Sequence, residues 1–426
     1  MKNLKFLIAL IVFGLLLNPT IAPAQTVGLN TQADTIKFDK GSFETVIKRN
    51  FDRRVMGYQV ILLKKGQIVS ELADGLARNP ADGNVKMTVN TPANIGSTVK
   101  FFGGTALLQK FQKNNEMDAW LDKEVYKYFP QIWQDEMHFS IKQIKFRDLL
   151  QHKGGFIHND PDPSIKVYFD YLRKGVTSDQ TQTYAYGKRN YANANITTIG
   201  YVLAAINNPL LLNMVNKKIA DKNLKANDPE IQALLGQSFE NYMKAKIFSQ
   251  INPAISPSCD APNEYPKKNI VYAKMYNLPT TATAGGEYSS KTNGGACHAA
   301  GGWYITGREL AAYVANYAAS DEIVTTATRD LMFDDDAAQE RLVWSMIEPD
   351  GSLLKNFGWN TSPYMGGDHP VGTSKAHATI VKLPNDYYAV GIINSDILNN
   401  QGQAGGSRLL TQNIIEAFKA GVAANF

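Results

Sequence analysis

The chain has 426 residues, 44% hydrophobic and 19% charged, which excludes a disordered or fibrous protein and leaves room for one large domain with an insertion or for two domains. Its formal net charge is +5, and two of those charges, Lys2 and Lys5, fall in a leader expected to be removed. No basic run argues for a nucleic-acid partner.

The amino terminus reads as a secretory signal. Lys2 and Lys5 precede an apolar core, Phe6 to Leu17, too short to span a bilayer stably, and Ala22-Pro23-Ala24 offers a small-x-small cleavage site near Ala24. Residues 1–24 are therefore expected to be a signal peptide and the mature protein to be secreted or periplasmic, with no stable membrane span. The alternative is an uncleaved anchor.

Ser42 to Arg53 has the spacing of an amphipathic helix. Two β-rich runs, Tyr58 to Leu63 and Ile68 to Leu72, flank a polar turn at Gly66 and predict a hairpin. Ser97 opens a predicted helix running to about Lys113. Ile144 to Leu150 is a short amphipathic element stopped by Gly154-Gly155, and Asn195 to Ile206 is a further helix. Asn207 to Leu235 is polar, holds Pro209 and Pro229, and reads as an insertion. Gln237 to Ser249 is helical by period, and Asn252 to Ala300 is loop-rich. A helix at Thr306 to Ser320, a second hairpin (His377 to Leu383 and Tyr387 to Asn394) and a helix at Ser407 to Ala423 close the chain. Strands at both ends around a helical centre predict an α+β fold: a sheet domain at 25–110 and 290–426, with a mainly helical subdomain at 111–289 in which 207–235 is inserted.

The chemistry centres on Ser97-Thr98-Val99-Lys100. Residues i and i+3 share a helix face, so the amine can reach the hydroxyl, while the helix start supplies N–H groups for a developing oxyanion. Roughly two such Ser-x-x-Lys matches are expected by chance in a chain this long, so the motif alone reads first as an N-cap serine with a solvated lysine one turn on. Cys259 and Cys297 are the only cysteines, and they form either a disulfide or two buried thiols.

Further segments change the odds. Leu149-Leu150-Gln151-His152-Lys153-Gly154-Gly155, Tyr191-Ala192-Asn193-Ala194-Asn195 and Ala300-Gly301-Gly302-Trp303-Tyr304-Ile305-Thr306 follow Ser97-Thr98-Val99-Lys100 in order, and Gly358-Trp359 precedes His369. Together they resemble the serine β-lactamase and penicillin-binding protein family, most closely its class C and esterase-like branch, from about residue 40 to the C-terminus. The resemblance implies a β-lactamase/transpeptidase-like fold, an antiparallel sheet flanked by N- and C-terminal helices with an inserted all-α subdomain.

It also implies roles. Ser97 is the nucleophile, Lys100 its base, Tyr191 the proton donor to the leaving group, and Asn193 a holder of Lys100 and of the substrate amide. The Ser97 N–H forms an oxyanion hole with a strand bearing His369 and Gly372. Three positions depart from the family pattern: Gly154 stands where serine is usual, Pro370 where a hydroxyl residue helps bind a substrate carboxylate, and Val371 where a glycine lets the strand approach. The implied activity is hydrolysis of an ester or amide through an acyl-Ser97 intermediate, on a small molecule or peptide and with no metal or organic cofactor. A D-alanyl-D-alanine carboxypeptidase or β-lactamase, and a non-catalytic binding or sensor protein, are the alternatives; oligomeric state is left open. His152 is read as a buried hydrogen-bonded histidine, Trp303 and Trp359 as cleft or core, and His158 to Asp162 and Asp334 to Asp336 as polar turns.

Overall fold

The computed structural model describes residues 37–112, 116–157, 165–251, 253–333, 341–347, 362–399 and 401–423. The leader, the His158 to Asp162 and Asp334 to Asp336 turns and Trp359 lie outside them.

Helix α1, Lys40–Phe51, is capped by Asp39, whose carboxylate accepts from the Gly41 and Ser42 amides. The strands follow as β1 (Gly57–Lys64), β2 (Gln67–Arg78), β3 (Val85–Lys86), β4 (Ala93–Asn94), β5 (Tyr304–Ile305), β6 (Ser345–Ile347), β7 (Ser362–Val371), β8 (Ser374–Leu383) and β9 (Tyr387–Ile393). Among the described residues, seven of them form one antiparallel sheet in the order β3-β2-β1-β9-β8-β7-β6, and β4 pairs with β5 beside it. The N- and C-terminal hairpins thus meet at β1 and β9, with Val60 opposite Gly391.

The sheet is covered on both faces, which is why β1 is apolar almost throughout rather than alternating. Tyr58, Val60 and Leu62 pack with Phe43, Ile47 and Phe51 of α1 and with Leu410, Ile414 and Phe418 of the C-terminal helix. Ile61 and Leu63 join the larger core beneath the central helices. Residues such as Phe43 and Leu410 are 0% exposed, and each stabilises the fold by roughly 2–3 kcal/mol relative to an exposed side chain.

The helical part contains α2 (Val99–Phe111), α3 (Asn193–Asn207), α4 (Pro209–Asp221) and α5 (Pro229–Tyr242). α6 (Gly307–Ala319), opened by a Thr306–Glu309 capping box, and α7 (Ser407–Ala423) flank the C-terminal strands. The polar segment 207–235 is largely helical: Pro209 and Pro229 each sit in a helix's first turn, where a missing N–H costs nothing, and Asn208 and Asp228 cap α4 and α5. No single helix among the described residues is long and apolar enough to cross a membrane. The bent pair α3 and α4 passes that test jointly, but at 108°, and α3 is buried from Ala194 to Ile206.

Cys259 and Cys297 are joined by a disulfide. It ties the two ends of the loop-rich stretch together. Replacing both cysteines with serine is expected to lower the unfolding free energy by about 4 kcal/mol, the loop-closure value for a 38-residue separation. Urea denaturation measures it, and a loss below about 1 kcal/mol would contradict a constraining role.

Candidate active site

Ser97 does not lie in the helix it precedes. Gly96–Thr98 form a 3₁₀ turn, and α2 begins at Val99. Gly96 has φ +49°, a conformation open to glycine and strained for most other residues. The Ser97 side chain caps no helix, so its hydroxyl is left for other partners.

Those partners converge. Lys100 Nζ is 2.8 Å from Ser97 Oγ, 2.8 Å from Asn193 Oδ1 and 2.5 Å from the Ala300 carbonyl. Tyr191 Oη donates to Ser97 Oγ at 2.7 Å. Three segments distant in sequence, 97–100, 191–193 and the one carrying Ala300, thereby meet around the Ser97–Lys100 pair. The site is open to solvent on one side: Tyr191 is 39% exposed and Asn193 is exposed, whereas Lys100 is 1% exposed.

Burial sets the charge state. Removal from water lowers the Lys100 ammonium from 10.5 to about 7. The ammonium donates to all three neighbours; on losing one proton it keeps N–H groups for Asn193 Oδ1 and Ala300 O and frees a lone pair to face the Ser97 hydroxyl. The Tyr191 phenol is pushed up to about 12, chiefly by desolvation, with a smaller contribution from the Asp368 charge; it stays protonated. Two imidazoles, the buried His298 and the half-buried His369, flank Lys100. His298 is held down to about 3 and His369 to about 4, in both cases by burial first and by the Lys100 charge second.

The supporting loops are built around His152, which has φ 57°. Its ring lies 4.8 Å from that of Tyr191, its Nδ1 accepts from the Ala192 amide, and its carbonyl accepts from Asn190 N–H. The sequence reading as a buried histidine missed this tilted ring contact with Tyr191. Gly154, where the family has serine, donates its N–H to Asn195 Oδ1, and a methyl group there would come within 2.5 Å of that oxygen. Trp303 is core, with its indole N–H on the His298 carbonyl.

The facing strand differs from expectation. Gly372 sits at the tip of the β7–β8 turn with φ 58° and open space about it. The part of β7 that abuts the nucleophile turn is Gly367 and Asp368. A methyl group on Gly367 would lie 2.3 Å from the Thr98 nitrogen and 2.4 Å from Ile95 O, and one on Gly96 would lie 2.9 Å from the Asp368 carbonyl carbon. The glycine that permits close approach is therefore Gly367, and Val371 is no obstacle to it. His369 packs edge-on against Tyr288, a residue that no sequence motif had singled out.

Among the described residues, Glu240, Cys259 and Cys297 form the one grouping of metal-ligand types. Both sulfurs are spent in the disulfide, and Glu240 is paired with Lys244 and Lys291. This set does not fit a metal ion.

The family model of Beta-lactamase matches residues 43–407. The chain belongs to the beta-lactamase family. That places it in a serine hydrolase superfamily, and the expected α+β fold with its antiparallel sheet is the one observed. Beta-lactamase-like protein 2 of Dictyostelium discoideum is 24% identical over 222 residues, half of this chain but only 40% of that protein's length. A class C beta lactamase from Rhodobacter sphaeroides shares the fold with a TM-score of 0.57 at 15% identity, covering 88% of this chain and 98% of its own. FmtA from Staphylococcus aureus does so with a TM-score of 0.58 at 14% identity, covering 90% and 92%. At these identities the likeness is one of fold.

Proposed function

We propose that this beta-lactamase family member is a serine hydrolase that cleaves an ester or amide through an acyl-Ser97 intermediate. The convergence of the Lys100 amine and the Tyr191 phenol on Ser97 Oγ carries the reading. The neutral Lys100 takes the hydroxyl proton as Ser97 Oγ attacks the acyl carbon. The oxyanion is received by the Ser97 N–H at the helix start and by the facing edge of β7. The Tyr191 phenol gives its proton to the leaving group and is reprotonated by the Lys100 ammonium. A water then enters by the reverse relay and releases the acid, returning Ser97 and Lys100 to their starting states. Asn193 holds Lys100 in reach and presents its amide to the substrate.

Pro370 removes both a hydroxyl and an N–H from the strand, which favours substrates without the carboxylate of β-lactams and D-alanyl peptides. The Cys259–Cys297 bond and the apolar leader support export to an oxidising compartment.

The test is a substrate panel with intact-mass detection. A fluorophosphonate is expected to add once, at Ser97, and p-nitrophenyl esters to turn over at least about tenfold faster, in kcat/KM, than nitrocefin or a D-alanyl-D-alanine peptide. Folded protein that takes no label returns the chain to a binding role, and nitrocefin as the better substrate makes it a β-lactamase.

A further inference from the structure

Behind the strand that faces Ser97 runs a chain of four charged side chains that the acyl-transfer scheme does not use. Asp368, on β7, accepts from His377 Nδ1 at 2.5 Å. His377, its cross-strand partner on β8, donates from Nε2 to Asp396 Oδ1 at 2.8 Å, and Lys375 Nζ donates to Asp396 Oδ2 at 2.7 Å. Asp368 also takes the Ser407 N–H at 2.7 Å and the Ser407 hydroxyl at 3.1 Å, at the start of α7.

Both ring nitrogens of His377 thus face carboxylate oxygens. A neutral imidazole has one N–H, so it would set a lone pair against one of the acids; only the imidazolium satisfies both. With two carboxylates, one imidazolium and one ammonium, the chain is electrically balanced. His377 and Asp396 are 2% and 3% exposed, whereas Asp368 and Lys375 reach solvent, so the His377–Asp396 pair carries a desolvation cost that two apolar side chains would not.

Its position gives that cost a use. The same Asp368 whose carboxylate is held by β8 and by α7 has its backbone against Gly96. We propose that His377, clamped between Asp368 and Asp396, is a positioning residue that presses β7 onto the Gly96–Thr98 turn and so sets the strand edge opposite the Ser97 hydroxyl. The inference rests on the acyl-Ser97 reading for its kinetic consequence, but not for its structural one.

The experiment compares the full chain with His377→Asn, Asp396→Asn and the double variant Asp368→Asn/His377→Asn. The rate of fluorophosphonate labelling, in which Ser97 Oγ displaces fluoride from phosphorus, ester kcat and KM, and amide hydrogen exchange are measured on each. His377→Asn is expected to slow labelling roughly 10- to 100-fold, the effect of a small misplacement of reacting groups, with KM within about threefold of the parent. Exchange at 96–98 and 365–370 is expected to accelerate. Adding Asp368→Asn should cost little more, because the two residues act as one unit. Asp396→Asn keeps an acceptor for Nε2 and should lie between parent and His377→Asn.

Folded variants with parental labelling, or with the loss confined to KM, would overturn the proposal. So would failure of all three variants to fold, which would make the chain an element of stability alone. If the parent never labels at Ser97, the acyl-transfer reading fails by itself, and unchanged exchange at 96–98 then decides separately against the clamp.

Discussion

Ser97→Ala is expected to lower ester kcat/KM by at least about 10⁴-fold while leaving the protein folded. The hydroxyl caps no helix, and its contacts are with Lys100 and Tyr191. Its removal deletes the atom that forms the acyl bond and leaves the Gly96–Thr98 turn, α2 and the core beneath them untouched. Lys100 keeps its acceptors on Asn193 and Ala300, so no buried group is stranded. The stability change should stay within about 1 kcal/mol, as for other substitutions that leave packing and burial intact. Initial rates, covalent labelling and thermal unfolding on the same preparation check it. A variant retaining a tenth of parental turnover would show that the reaction runs elsewhere.

The second large effect is at Lys100. Lys100→Met removes the base and is expected to cost about 10³-fold in acylation. Lys100→Arg should be no better, because a guanidinium stays charged and cannot accept the serine proton. In the parent, activity should rise with pH through about 7, as the buried ammonium loses its proton. Stability moves in the same direction. Between pH 7 and 10.5 the unfolded chain still binds a proton that the folded one has released, so the parent gains stability as pH rises across that window, by at most about 5 kcal/mol. Lys100→Met lacks this titration, and its stability relative to the parent should therefore fall from pH 7 to 10. Denaturant titrations at pH 7 and pH 9.5 read the difference directly, and identical slopes for the two proteins would place the Lys100 charge outside the fold's energetics.

Much of the frame was legible without coordinates. The α1 helix, the first hairpin, α6 with its Thr306–Glu309 box and the helix from Ser407 carry local signals, periodicity and caps, which need only a few neighbours to act. Ser97, Lys100, Tyr191 and Asn193 were named from short motifs because each sits at an element boundary with a recognisable surrounding. The helices at Pro209 and Pro229 were hidden by their polarity, since α4 lies at the surface with only Val215 and Ile219 buried. The β7 contact was misplaced because a strand's register against another element leaves little trace in its own residues, and only packing shows that a methyl group on Gly367 would meet a backbone atom at 2.3 Å.

Sequence alone determined the family, the terminal helices with the two hairpins, and the Ser97, Lys100, Tyr191 and Asn193 motifs, because these rest on local pattern and on motif order. Tertiary structure decided the charge on Lys100, the neutrality of His298 and His369, and the union of Asp368, His377, Asp396 and Lys375 into one chain. Those properties arise from loss of water and from contacts between residues far apart along the chain, and neither exists until the sheet and the helical part close over the site.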